Sequence, residues 1–209
     1  MNWARHERLE LADLFATVGP DAPTLCEGWK TRDLAAHLVI RERRPDAAAG
    51  ILVKPLARHT QRVQDDVAEQ PWEDLVGLVR GGPPAWSPSA WEPIDRAINT
   101  VEYFVHHEDV RRAQPGWAPR TLDTGFEGDL WSRLKLGARL LVRRSPVGLA
   151  LQHTDGETVR AKSGEPVVTV TGPPSELTLF VYGRQAHARV DIDASADVAD
   201  QLRAARLGL

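Results

Sequence analysis

The chain has 209 residues, 42% of them hydrophobic and 26% charged, with a formal net charge of −3. It is long enough for one large domain, or for one medium and one small. The near-neutral balance argues against a broad phosphate-binding surface, since nucleic-acid modules show a basic stripe with interleaved aromatics and none is present here. Cys26 is the single cysteine, which excludes an intrachain disulfide and a Cys-rich metal site. The N-terminus "MNWARHERLELADLF" carries charge throughout and has no apolar signal-peptide core. No window approaches the roughly 20 apolar residues of a membrane span. The expectation is a cytoplasmic protein, monomer or homodimer, with neither a nucleic-acid nor a membrane partner.

In chain order, "NWARHERLELADLFATV" spaces its leucines, Ala12 and Phe15 as a helix does and stops at Gly19-Pro20. "TRDLAAHLVIRERR" opens with Thr31 as N-cap and Asp33 in the first turn, and ends before Pro45. A helix over about 52–69 and the short "PWEDLVGLVRG" follow. "GGPPAWSPSAWEP" reads as a loop. The next helix starts between Pro93 and Ile98, runs to Ala113 and is closed by "QPG"; "FEGDLWSRLKLGARLLVRR" is a further helix.

All seven tryptophans lie at or before position 131, and after "RRSPVGLA" the helical texture gives way to alternation. A domain boundary near Ser145-Pro146 is therefore expected. "VGLALQHTDGETVRAKSG" reads as a hairpin turning at Asp155-Gly156, and "PVVTVTG" as a third strand. "PPSELTLFVYGRQ" reads as a helix, "HARVDIDA" as a strand and "SADVADQLRAARLG" as a final helix. The fold class is thus a two-part α+β chain: a helical bundle over 1–144 and a small α+β domain over 145–209. The second part, about 65 residues, is of a size at which a separate core is marginal.

The chemistry-bearing stretch is "NTVEYFVHHEDVRRA", residues 99–113. At about 100° per residue, Ile98, Val101 and Val105 define an apolar arc. Glu102 and Asp109 fall in or beside it, and His106 lies on its flank. His107 points to the opposite side, and Glu108 falls beyond the other edge. Glu102 and His106 are an i, i+4 pair on one inward face, which is a two-ligand unit for a divalent ion. A third ligand is offered by His37, at the edge of the buried stripe in "TRDLAAHLV". His6, His59, His153 and His187 stand among charged or turn residues. Two histidines and a carboxylate suit zinc or another first-row ion, with a position open for water or substrate. The plainer alternatives are a hydrogen-bonded helical pair at Glu102 and His106, a structural His37, and a salt bridge from Asp109 to Arg112 or Arg41.

These residues also carry a resemblance. "LCEGWKTRDLAAHLV" resembles the "gW-t-rdl-aHl" segment of the DinB-like, mycothiol-dependent maleylpyruvate isomerase group. "VEYFVHHEDVRRA" is similar to that group's second segment, where Glu-x-x-x-His leads into an H-x-x-D run. "VTVTGPPSELTLFVYGR" is similar to the start of its C-terminal domain. The resemblance implies an up-down, DinB-like four-helix bundle holding a divalent metal, zinc foremost, through His37, Glu102 and His106. It also implies mycothiol or another low-molecular-weight thiol as cofactor and a small electrophilic substrate, in an isomerase or S-transferase reaction. Arg184, in the matching "GR", is expected to hold a substrate carboxylate or else to complement a helix C-terminus. Asp109 is the candidate acid or base, Trp29 lies at the rim where a cofactor would touch, and Cys26 is expected to be a structural thiol. The competing class is a non-catalytic, metal-dependent binding or stress accessory protein.

Overall fold

The computed structural model describes residues 1–87 and 90–208, with the side chains of Ala49, Ile51, Leu52 and Lys54 excepted. The chain divides into two compact units, Met1–Ala118 and Pro119–Leu209. The first is helical: α1 (Trp3–Val18), α2 (Thr31–Arg43), α3 (Pro45–Leu52), α4 (Ala57–Ala68), α5 (Trp72–Gly81) and α6 (Glu92–Arg111). The Asn2 side chain accepts the Arg5 amide at the start of α1, and Gly19 ends the helix with φ +80°. Helix α2 buries Leu34, Ala35, Ala36, Leu38, Val39 and Ile40, because α3, α4 and α5 pack around it. A helix apolar over most of its circumference is a central one. Helix α1 lies along α6 and also touches α5. Leu11, Phe15, Leu34, Leu38, Val63, Val67, Leu75, Val79, Tyr103 and Val110 form the core between them.

The second unit is α+β. It holds α7 (Thr124–Leu141), β1 (Gly148–His153), β2 (Thr158–Lys162), β3 (Val167–Gly172), α8 (Pro174–Val181), β4 (Asp191–Asp193) and α9 (Ala196–Ala204). The sheet order is β2-β1-β3-β4, with β1 parallel to β3 and both outer pairings antiparallel. Trp131, Leu134 and Leu141 of α7 share one core with Leu149, Leu151, Val168, Val170, Leu177, Phe180 and Leu202. Gly148 is required where β1 starts, since a Cβ there would stand 2.2 Å from the Gly164 carbonyl oxygen.

Three expectations differ from what is observed. The helix expected over 52–69 is two, α3 and α4, joined by a 3-10 turn at Lys54–Leu56. Pro45 both ends α2 and begins α3, since proline is well placed at a first helical position. The expected loop of 81–93 has its Pro88-Ser89 portion outside the described residues, and α6 starts at Glu92. Helix α7, expected with the bundle, packs on α8 and β2. The first strand does begin where the sequence texture changes. No helix among the described residues is long and apolar enough to cross a membrane.

Candidate metal centre

The centre lies within the N-terminal unit, where α2, α6 and the loop between α1 and α2 come together. His37 sits on α2, and Glu102, His106 and Asp109 on α6. One donor atom each from His37, Glu102 and His106 lies within 4.8 Å of the other two. Glu102 Oε1 is the focus: His106 Nε2 is 3.1 Å from it, Arg41 Nε 3.2 Å and His37 Nε2 3.4 Å. The His37 and His106 rings meet edge to face with centroids 5.5 Å apart. Trp29 covers the far side of His37, 5.1 Å between centroids. The Glu102 side chain keeps a quarter of its surface exposed, so solvent reaches this side of the cluster.

His106 is held from both ends. Its Nδ1 donates to Asp109 Oδ2 at 2.9 Å while its Nε2 faces Glu102. Asp109 is fully buried and accepts a second hydrogen bond, from the Cys26 thiol at 3.2 Å. The loop that carries Cys26 is anchored to α6, where the Leu25 amide donates to the Asp109 carbonyl at 3.0 Å. Thr24 Oγ1 accepts the Cys26 amide and donates to the Trp29 carbonyl. Gly28, with φ +76°, turns this loop, a conformation other residues rarely take.

The charges follow from this geometry. Burial disfavours an imidazolium at His106, yet the bonds to Asp109, Cys26 and Glu102 outweigh it and hold its pKa well above the usual histidine value. Burial likewise opposes ionisation of Glu102, but His106 and His37 beside it, with the field of Arg41, keep its carboxyl well below the usual range. His37 goes the other way: burial outweighs Glu102 and lowers its pKa, so the ring is neutral, the form that ligates metals. A carboxylate so placed requires positive charge in front of it. His106 and Arg41 supply that charge here, and the donor set, two imidazoles and a carboxylate, fits a divalent ion.

Several side chains stand elsewhere than the sequence reading had them. His107, expected on the outward side, is buried and its Nδ1 lies 2.8 Å from Glu7 on α1. Glu108 is buried against Arg112 and Arg111. Ile98, expected in the apolar arc, is 55% exposed. The cause is that α1 covers the face of α6 opposite the cluster, so both flanks are inside and polar residues there are paired. Arg41, weighed only as a partner for Asp109, bonds Glu102 and Asn99 instead. Its i, i+4 spacing from His37 was the signal that could have placed it. Arg184 belongs to the second unit, just past α8. There its amide reaches the Leu179 carbonyl and its Nη1 the Tyr182 carbonyl at 2.6 Å.

No family model matches the sequence, and no curated protein matches it. Two solved structures do, by fold. One is a histidine-to-alanine variant of mycothiol-dependent maleylpyruvate isomerase, with TM-score 0.62 and 16% identity over 91% of this chain and 90% of that one. The other is described as the mycothiol-dependent maleylpyruvate isomerase, with TM-score 0.58 and 14% identity over the same shares. At such identities the likeness carries architecture: the chain is an α+β protein with the fold of mycothiol-dependent maleylpyruvate isomerase.

Proposed function

We propose that this protein binds a divalent metal, zinc foremost, through His37, Glu102 and His106, and uses it with a low-molecular-weight thiol such as mycothiol either to isomerise a small electrophile or to transfer the thiol sulfur to it. The observation that carries the reading is the convergence of two imidazoles and a carboxylate on one partly open position, in a chain whose fold is that of a thiol-dependent isomerase. When bound, a divalent ion lowers the pKa of a coordinated thiol and so supplies thiolate at neutral pH.

The chain's own residues do the rest. Asp109 fixes the His106 tautomer by taking its Nδ1 proton in a hydrogen bond, which leaves Nε2 to ligate and makes the ring a stronger donor. We assign Asp109 this positioning role, acting through His106. Arg41 orients the Glu102 carboxylate from α2, and Trp29 walls the His37 side and is the surface a bound thiol would meet. Arg184 is assigned to a substrate carboxylate on the strength of the family resemblance.

The test is direct. Metal content per chain is measured on purified protein, and apo and metal-loaded forms are then incubated with mycothiol and a panel of electrophiles. Turnover above the uncatalysed thiol reaction, present only with metal, is the expected result. Stoichiometric metal without turnover would instead identify a binding protein, and no metal at all would overturn the reading.

A further inference from the structure

Cys26, expected to be merely structural, belongs to a second group of donors. Cys26 Sγ, His106 Nδ1 and Asp109 Oδ2 lie 3.9, 2.9 and 3.2 Å apart. Ligands of a tetrahedral ion bound at 2.0–2.3 Å stand roughly 3.3–3.7 Å from one another, so this trio needs to shift by only a few tenths of an ångström. We propose that His106 serves two alternative metal positions, and that the one completed by Cys26 and Asp109 takes soft, thiophilic cations. This goes beyond the function proposed above, in which the ion sits between His37, Glu102 and His106.

The two positions use opposite nitrogens of one ring. Nε2 faces Glu102 and His37, and Nδ1 faces Asp109 and Cys26. A neutral imidazole has one lone pair to give and one N–H to donate, so occupation of either position excludes the other and the total stays at one ion per chain. Ligand softness sorts the ions: a thiolate favours cadmium-like cations, whereas imidazole with carboxylate accepts harder ones such as manganese. Binding at the thiolate position is an acid–base exchange with no change of oxidation state. The Cys26 S–H and the His106 Nδ1–H each release a proton to solvent, and sulfur–metal and nitrogen–metal bonds form beside the carboxylate of Asp109. Cys26 is half-buried rather than sealed, which gives an ion a way in, and its loop is fixed on α6 by the Leu25 amide.

The experiment uses the full chain stripped of metal, titrated separately with Cd2+ and with Mn2+. One equivalent of Cd2+ should bind with an ultraviolet thiolate-to-metal charge-transfer band and should block Mn2+ uptake. Cys26→Ser should abolish the band and weaken Cd2+ by about a hundredfold while changing Mn2+ affinity by less than about threefold. Glu102→Gln should do the reverse, keeping the Cd2+ band and losing Mn2+. Cys26→Ala, checked for folding by circular dichroism, repeats the first arm without a serine hydroxyl. Cd2+ binding without the band, two equivalents of Cd2+, or equal weakening of both ions by Cys26→Ser would each overturn the proposal. Mn2+ binding with no charge-transfer band sinks only this inference; failure of both ions to bind sinks the proposed function as well.

Discussion

His106 and His107 are neighbours of identical chemistry that α6 delivers to different partners, one to Glu102 and Asp109, the other to Glu7 on α1. Their alanine variants should therefore fail differently. On the proposed assignment His106→Ala removes one of three ligands, a loss of roughly 3 kcal/mol or more than a hundredfold in metal affinity. His107→Ala should leave metal content intact and cost about 1–3 kcal/mol of stability, because the buried Glu7 carboxylate loses the imidazole that stands 2.8 Å from it. Metal per chain and denaturation midpoint, measured on both, separate the two; metal loss from His107→Ala would contradict the assignment. The same pairings set a pH dependence. In the metal-free protein the raised pKa of His106 contributes stability that is present below its unfolded value, near 6.5, and lost as pH rises through the folded one. The depressed pKa of Glu102 acts oppositely: its contribution is present above about 4.5 and lost as pH falls. A metal ion must displace the His106 proton, so it binds more tightly as pH rises. The increase in melting temperature on adding metal should accordingly grow from pH 6 towards pH 9. A constant or shrinking increment would show that His106 carries no proton to displace.

At the scale of elements, the α2–α6 seam explains what periodicity can and cannot disclose. Glu102 and His106 were legible because i, i+4 spacing fixes two side chains on one face whatever surrounds the helix. The burial of His107 and Asn99 was not, because each pairs with a residue distant in sequence: Glu7 for His107, Glu42 for Asn99. Charged residues on a helix read as outward unless their partners are known. The loop before α2 was legible in part. "CEGW" announces a turn, but only its hydrogen bonds tie that turn to Asp109. Gly28 is the hinge of this arrangement. With φ +76° and open space around its Cα, Gly28→Ala should cost about 1 kcal/mol through backbone strain alone. It should also loosen Cys26 from Asp109 and raise its alkylation rate in the folded protein. Unchanged stability and unchanged Cys26 reactivity together would show that the turn does not hold the thiol in place.

For the whole molecule, the sequence marked where helices give way to strands but not where the compact units divide. Composition changes near Ser145, whereas α7 packs on α8 and β2 and the units part after Ala118. The physical reason is that an amphipathic helix declares an apolar face without declaring which neighbour will cover it. In α7 that face includes Trp131, Leu134, Ala138 and Leu141, all buried in the core of the second unit. We propose Ala118 as the boundary, and truncation tests it. A chain ended after Ala118 retains every residue of the candidate centre and an intact helical core. It is also of a size that folds alone. It should be monomeric, cooperatively unfolding and able to bind metal with near full-length affinity. A chain ended after Arg144 carries α7 without the strands and helix that bury it, leaving an apolar stripe in water of the kind that drives association. It should bind a hydrophobic dye and self-associate, while the shorter chain does neither. Light scattering and dye fluorescence on the two fragments at matched concentration decide it. If the longer fragment is the better behaved, α7 belongs with the bundle after all, and the boundary moves to the start of the strands.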